Sequence, residues 1–95
     1  MSMLDAVVPW YVTEDVYESF RNAAVDPQVF FTTHAEWLVA ALEHERRAEE
    51  NGVAIVRIRM DFAAFEAWRE IAGAKNDVEG RSSFAIYRAE QILPS

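Results

Sequence analysis

Hydrophobic and polar positions change period around one stretch, Val53-Ala54-Ile55-Val56-Arg57-Ile58-Arg59-Met60. Ala54, Val56, Ile58 and Met60 share one face of an extended chain, and Val53, Ile55, Arg57 and Arg59 share the other. The first half is apolar on both faces and the second half on one. That pattern predicts a strand that starts inside a core and ends near water. Asn51-Gly52 precedes it, and glycine tolerates the left-handed backbone that stops a helix. Asp61 follows it, and an Asp there caps the free amides of a following helix. The unit reads helix, stop, strand, cap, helix. A helix over 33–50 spans about 27 Å and a strand over 53–60 about 26 Å, so the helix can lie back along the strand.

The flanking pattern supplies the other elements. Residues 6–12 are apolar and β-prone, and Pro9 restricts them to an edge strand or an extended arm. Thr13 caps a first helix, with Glu14 and Asp15 in its first turn and Val16, Phe20 and Ala23 or Ala24 on its apolar stripe. Asp26-Pro27 ends it. Residues 28–32 are open between a brief strand and an apolar plug, through Val29, Phe30 and Phe31. Thr33-His34-Ala35-Glu36 is a capping box that starts a helix reaching about Glu50. Its inner stripe is Trp37 or Leu38, Ala41, Leu42 and Ala48, and Glu43–Arg47 and Arg46–Glu50 are i,i+4 pairs on its outside. After Asp61, Phe62, Phe65, Trp68 and Ala72 recur at helical spacing up to Gly73, a natural stop. Residues 74–81 read as a polar loop. Residues 82–93 read as a helix rather than a strand, on Ala85 or Ile86, Ala89 and Ile92 or Leu93, closed by Pro94. The expected fold is α+β and a single domain over 1–95: about four helices on a two- or three-stranded sheet centred on 53–60. The partner strand is 6–12 or 28–32; a parallel pairing of 28–32 requires a right-handed crossover through helix 33–50.

Composition narrows the function classes. Apolar residues are 52% of the chain, enough for a folded core rather than disorder. Ninety-five residues leave room for one core, and for modest stability unless association adds to it. A net charge of −7 argues against direct nucleic-acid binding and against anionic membranes. It fits a basic protein partner, or solubility alone. Cysteine is absent, which excludes thiolate chemistry and is consistent with a cytoplasmic setting. No secretory signal or membrane span is read from the apolar runs.

Candidate chemistry is sparse. His34 and His44 sit ten apart on one helix, out of phase for a metal clamp, so neither a metal nor another cofactor is expected. Arg57 and Arg59 lie beside Asp61 and a helix start, an arrangement able to hold a carboxylate or phosphate, or simply to cross to acids on neighbouring helices. Asp61 opposes an anion there. Ser19, Thr32, Thr33, Ser82 and Ser83 have no fixed base and no nucleophile elbow, so no catalytic residue is assigned. Trp10, Trp37 and Trp68 read as core anchors, with Trp10 the first candidate for an interface anchor. Glu14, Asp15 and Glu18 crowd one turn, and Glu43, Glu45, Glu49 and Glu50 another, as solvated faces or as a surface for a basic partner.

The function expected from these residues is a small acidic, non-enzymatic protein–protein interaction module, a regulator or inhibitor of a basic partner. The alternative is a small-ligand or enzymatic domain that holds an anion on Arg57 and Arg59. An open sheet edge on a short aromatic chain also makes a symmetric homodimer an expectation. With no ligand set in the sequence, thermal melts with and without a strong chelator are predicted to coincide. A drop of several degrees on chelation would reveal a metal site that the spacing does not.

Overall fold

A computed structural model describes residues 4–92. Seven elements follow in order: strand β1 (Leu4–Trp10), helix α1 (Glu14–Ala23), a 3-10 turn (Pro27–Val29), helix α2 (His34–Glu50), strand β2 (Val53–Arg59), helix α3 (Phe62–Ala72) and helix α4 (Val78–Ile92). β1 and β2 form a two-stranded parallel sheet, in register from Leu4 opposite Val53 to Trp10 opposite Arg59. The four helices and the sheet make an α+β fold. Pro94 and Leu93 lie outside the described residues.

The local start and stop signals act as the sequence predicts. Thr13 Oγ1 accepts from Val16 N–H at 3.2 Å, Thr33 Oγ1 accepts from Glu36 N–H at 3.1 Å, and Asp61 Oδ1 accepts from Ala64 N–H at 3.0 Å. Each satisfies an amide that a helix start leaves without a partner. Gly73 closes α3 with φ at 68°, a left-handed conformation in which a side chain would be strained.

One open alternative resolves and two expectations are corrected. Of the two readings of 28–32, the strand is not formed; Pro27 starts a single 3-10 turn and Phe30 is extended. The partner of β2 is therefore the amino-terminal segment, and with two strands β2 is an edge rather than the middle of a sheet. The polar loop expected over 74–81 is shorter, because α4 begins at Val78. Its start is held by two carboxylates, one three residues away at cap spacing and one that sequence spacing does not single out. Asp77 Oδ1 accepts from Gly80 N–H at 2.8 Å, and Asp26, more than fifty residues earlier, accepts from Val78 N–H at 3.0 Å. Burial along β2 is also reversed: Ile58 and, just beyond the strand, Met60 are buried, whereas Val53 to Val56 are only half-buried. The aromatic cluster lies at the carboxyl end of the strand, and little covers its start.

That cluster is the core. Tyr11, Tyr17, Phe20, Phe65 and Phe84 are buried around Ile58 and Met60. Tyr11–Phe20, Phe20–Phe65 and Phe65–Phe84 ring centroids lie 5.3, 5.2 and 5.5 Å apart in edge-on or tilted pairs, the geometry the ring quadrupoles favour. Strands and helices thus meet through one chain of rings. Of the three tryptophans expected to anchor the core, all are only half-buried and sit at its margin.

Two substitutions test this architecture. Asp61→Ala should cost about 1 kcal/mol, a fall in Tm of about 4–8 °C for a domain of this size. Gly80→Ala should destabilise although it places alanine in a helix. The new Cβ would lie 1.9 Å from the Lys75 backbone carbonyl, and relieving such overpacking costs about 1–3 kcal/mol. A Gly80→Ala protein that melts at or above the parent would show that the 75–80 turn gives way freely.

Candidate functional site

Strand alternation assigns the two faces of the sheet. Val56, Ile58 and Met60 of β2, with Val7 and Tyr11 from the β1 chain, pack into or against the aromatic core. On the opposite face, Trp10 meets Trp37 of α2 at 4.9 Å between ring centroids, and Arg57 pairs with Glu45 of α2. So α2 covers one face, chiefly over β2, while α4 covers the other, chiefly beneath β1. Met60 N–H donates to the Trp10 carbonyl at 3.0 Å, which sets the parity of the ladder. Even-numbered residues of β1 bond β2, and Asp5, Val7 and Pro9 turn their backbone groups outward. Among the described residues none of those outward groups has a hydrogen-bond partner. The missing N–H of Pro9 falls on this outer side, where the ladder loses nothing.

A groove of about 370 Å³ lies at the carboxyl end of this edge, next along the chain from Val7. It is lined from β1 by Val8 to Tyr11, from α2 by Ala40 and Ala41 among others, and from α4 by Val78 and Ser82. Because α2 and α4 lie on opposite faces, a groove touching both passes around the outer edge and carboxyl end of β1. Its walls are mostly apolar and aromatic, Trp10, Phe31 and Trp37 contributing the rings.

The residues singled out by sequence do not assemble into one site. Arg57 is engaged: its guanidinium meets the Glu45 carboxylate at 2.6 and 2.7 Å and stacks 3.9 Å over Trp10. This bidentate partner pulls the Glu45 carboxyl below its ordinary range. Arg59 is exposed and makes no ion pair among the described residues. Neither arginine lines the groove. Glu14 and Asp15 are exposed at the start of α1, and Glu18 lies 3.7 Å from Arg21. Glu43 is drawn to about 2 by hydrogen bonds from Arg46 and then Arg47, so that cluster is largely self-compensated. Of the sequence candidates, Trp10, Trp37, His44, Glu45 and Ser82 line the groove, whereas Glu14, Asp15, Glu18, Arg57 and Arg59 do not.

Sequence reasoning missed the buried polar cluster beside the groove. Arg81, placed by sequence in a loop, sits in α4 with its side chain 6% exposed. It donates to Asp26 at 2.9 and 3.1 Å and to Asn76 at 3.0 Å, and lies 4.5 Å over the Phe30 ring. Asn76 in turn donates to the Phe20 carbonyl at 3.0 Å. Asp26 and Phe20 lie more than fifty residues from Arg81 and Asn76 respectively along the chain, and no spacing rule reaches that far. Burial raises the Tyr11 phenol well above its ordinary range, so it stays neutral in this cluster. The network is saturated and structural: every buried side-chain nitrogen and oxygen among the described residues has a partner. Among those residues no group of acids and histidines is placed to hold a metal ion, and no helix is long and apolar enough to cross a membrane.

Compared with protein-family models, curated proteins and solved structures, the chain matches none.

The Asp26–Arg81 pair gives a pH prediction with a definite sign. The hydrogen bonds from Arg81 pull the Asp26 carboxyl below its ordinary value, against the opposing effect of burial. Its folded value therefore lies under the unfolded one, near 3.9. The pair's contribution is fully present above that unfolded value and is lost as pH falls through the folded one. Asp26→Asn should cost about 3 kcal/mol at neutral pH, since it strands a buried guanidinium. The gap between the two proteins should hold down to about pH 5 and narrow below about pH 4. Parallel stability curves throughout would mean that Asp26 titrates alike in both states.

Proposed function

We propose that the protein is a non-enzymatic protein–protein interaction module whose docking surface is the groove beside β1. The observation that carries this reading is the open β1 edge lying between two helical walls with apolar and aromatic lining. Two further features support it. None of the side chains of α2, a helix of 17 residues, is fully buried, and Val39 and Leu42 on its outer side are 71% and 46% exposed. A helix this poorly covered gains from a partner. The negative net charge and the free carboxylates of Glu14 and Asp15 favour a basic partner surface, which the protein would regulate or inhibit by occupying it. A cytoplasmic setting belongs to the same proposal and rests on the absence of cysteine.

A photo-reactive benzoyl-phenylalanine at Ser82, in the groove wall, should capture a partner in cells that express the chain. The same group at exposed Glu70 on α3 should not. With that partner purified, Glu14→Gln, Asp15→Asn and Glu18→Gln together should slow association about tenfold at low salt, and the difference should fade as salt screens it. Capture at Glu70 and never at Ser82 would move the docking surface elsewhere, and no protein adduct at either position would sink the module reading.

A further inference from the structure

Resting on that reading, we infer that the groove's occupant is an extended, basic segment of another protein, added as a third strand on the outer edge of β1. The edge presents the N–H and C=O of Val7 and the C=O of Pro9, none of them partnered among the described residues. Only an extended backbone matches that spacing of donor and acceptors, and pairing on a sheet edge is an established way for one chain to hold another. The absent N–H of Pro9 sets the register. An incoming strand bonds Val7 twice and Pro9 once, and keeps the carbonyl opposite Pro9 turned to water. Alternate side chains of that strand then enter the wall formed by Trp10, Trp37 and Ala41.

Charge points to a basic segment. Asp5 lies on the edge itself. On α4 the flank that starts at Val78 and Ser82 continues at i+4 spacing through exposed Ile86 and Glu90. Asp5 and Glu90 make no ion pair among the described residues. By contrast, the two cations nearest the groove, Arg57 and Arg81, are already held by Glu45 and Asp26. The unspent charge beside the edge is therefore negative, and a Lys or Arg on the added strand would meet it.

A second copy of this chain fits less well. α4 packs chiefly beneath β1. A two-fold pairing of β1 with its own copy would place the two α4 helices beneath adjacent strands, about 5 Å apart, whereas packed helices need about 8–10 Å between axes. A lone strand brings no helix with it and avoids that clash.

The test uses the whole chain and a phage-displayed library of random dodecapeptides. Enriched peptides should alternate apolar and polar residues and carry at least one Lys or Arg. Synthetic copies, N-methylated at one position at a time, should lose binding about tenfold or more at every second residue and little at those between, because only alternate amides face the edge. Ser82→Arg, which crowds the groove and repels a basic segment, should abolish binding without lowering Tm. Failure of the library to enrich any peptide would overturn the inference, as would losses that recur at helical spacing or binding indifferent to Ser82→Arg. A dimer in sedimentation equilibrium that Ser82→Arg dissociates would assign the edge to a second copy instead. A natural partner captured at Ser82 that docks as a helix would sink the added strand yet leave the interaction module standing.

Discussion

A parallel pair of strands has no hairpin to hold it, and the pairing of β1 with β2 is the contact on which this fold depends. The chain between the two strands must be paid out through α1, the 3-10 turn and α2 before the first ladder bond can form. Closing so long a loop costs entropy that the ladder alone does not return. The return comes from both faces at once. Trp10 and Arg57 bind the pair to α2, and Val56, Ile58 and Met60 bind it to the aromatic core. A parallel sheet is stable when both faces are covered, and here each face has essentially one helical layer to do it. That leaves nothing spare to cover the edges, so the exposed β1 edge is a consequence of the architecture as much as a feature placed on it.

What the sequence disclosed, and what it concealed, divides along contact range. The caps at Thr13, Thr33 and Asp61 were legible because each involves residues three apart, where side-chain type and spacing are sufficient. The faces of β2 were legible for the same reason, through a period of two. The start of α4 was not. Its first amide is satisfied by Asp26 from the far end of the chain, and Gly80 enters the helix because the Lys75 carbonyl leaves no room for a side chain. A glycine and an arginine in a polar run look like a loop until the tertiary partners are known. The depth of burial along β2 failed similarly. Period shows which face is inward, whereas depth depends on where Phe20 and Phe65 converge. Of the candidate site, individual residues such as Trp10 and Trp37 were legible, but not their convergence. The groove itself is a relation among β1, α2 and α4, and no single stretch encodes it.

The division of labour among aromatics follows from the polar atoms they carry. Tyr17 is buried with its hydroxyl donating to the Phe31 carbonyl at 2.9 Å, and the phenylalanines have nothing to satisfy. Trp10, Trp37 and Trp68 are larger and stay half in water at the margin. This inverts the expectation that the tryptophans would be the deepest anchors. A ring that is buried on one face only is still able to contribute its other face to a partner, and such amphipathic rings are enriched where proteins meet. Trp10 and Trp37 meet at the groove, whereas Trp68 lies between α3 and α4.

The two sheet edges differ in how they are guarded, and the docking proposal rests on that difference. Natural sheets discourage stray pairing with charges, prolines and covering elements. At the carboxyl end of β2, where Arg57 and Arg59 stand, the edge is charged and one guanidinium is locked to Glu45. β1 has Pro9 near its carboxyl end and Asp5 near its start, which discourages long, indifferent pairing but leaves both groups of Val7 without a partner among the described residues. A strand guarded by charge alone would repel basic and acidic chains by sign. On the docking proposal, a strand guarded by one missing donor instead discriminates by register and side-chain fit. Slipping an incoming strand by one residue would turn its apolar side chains away from Trp10 and Ala41 and its amides away from Val7. On that proposal, the proline that discourages stray pairing on β1 also narrows what the edge would accept.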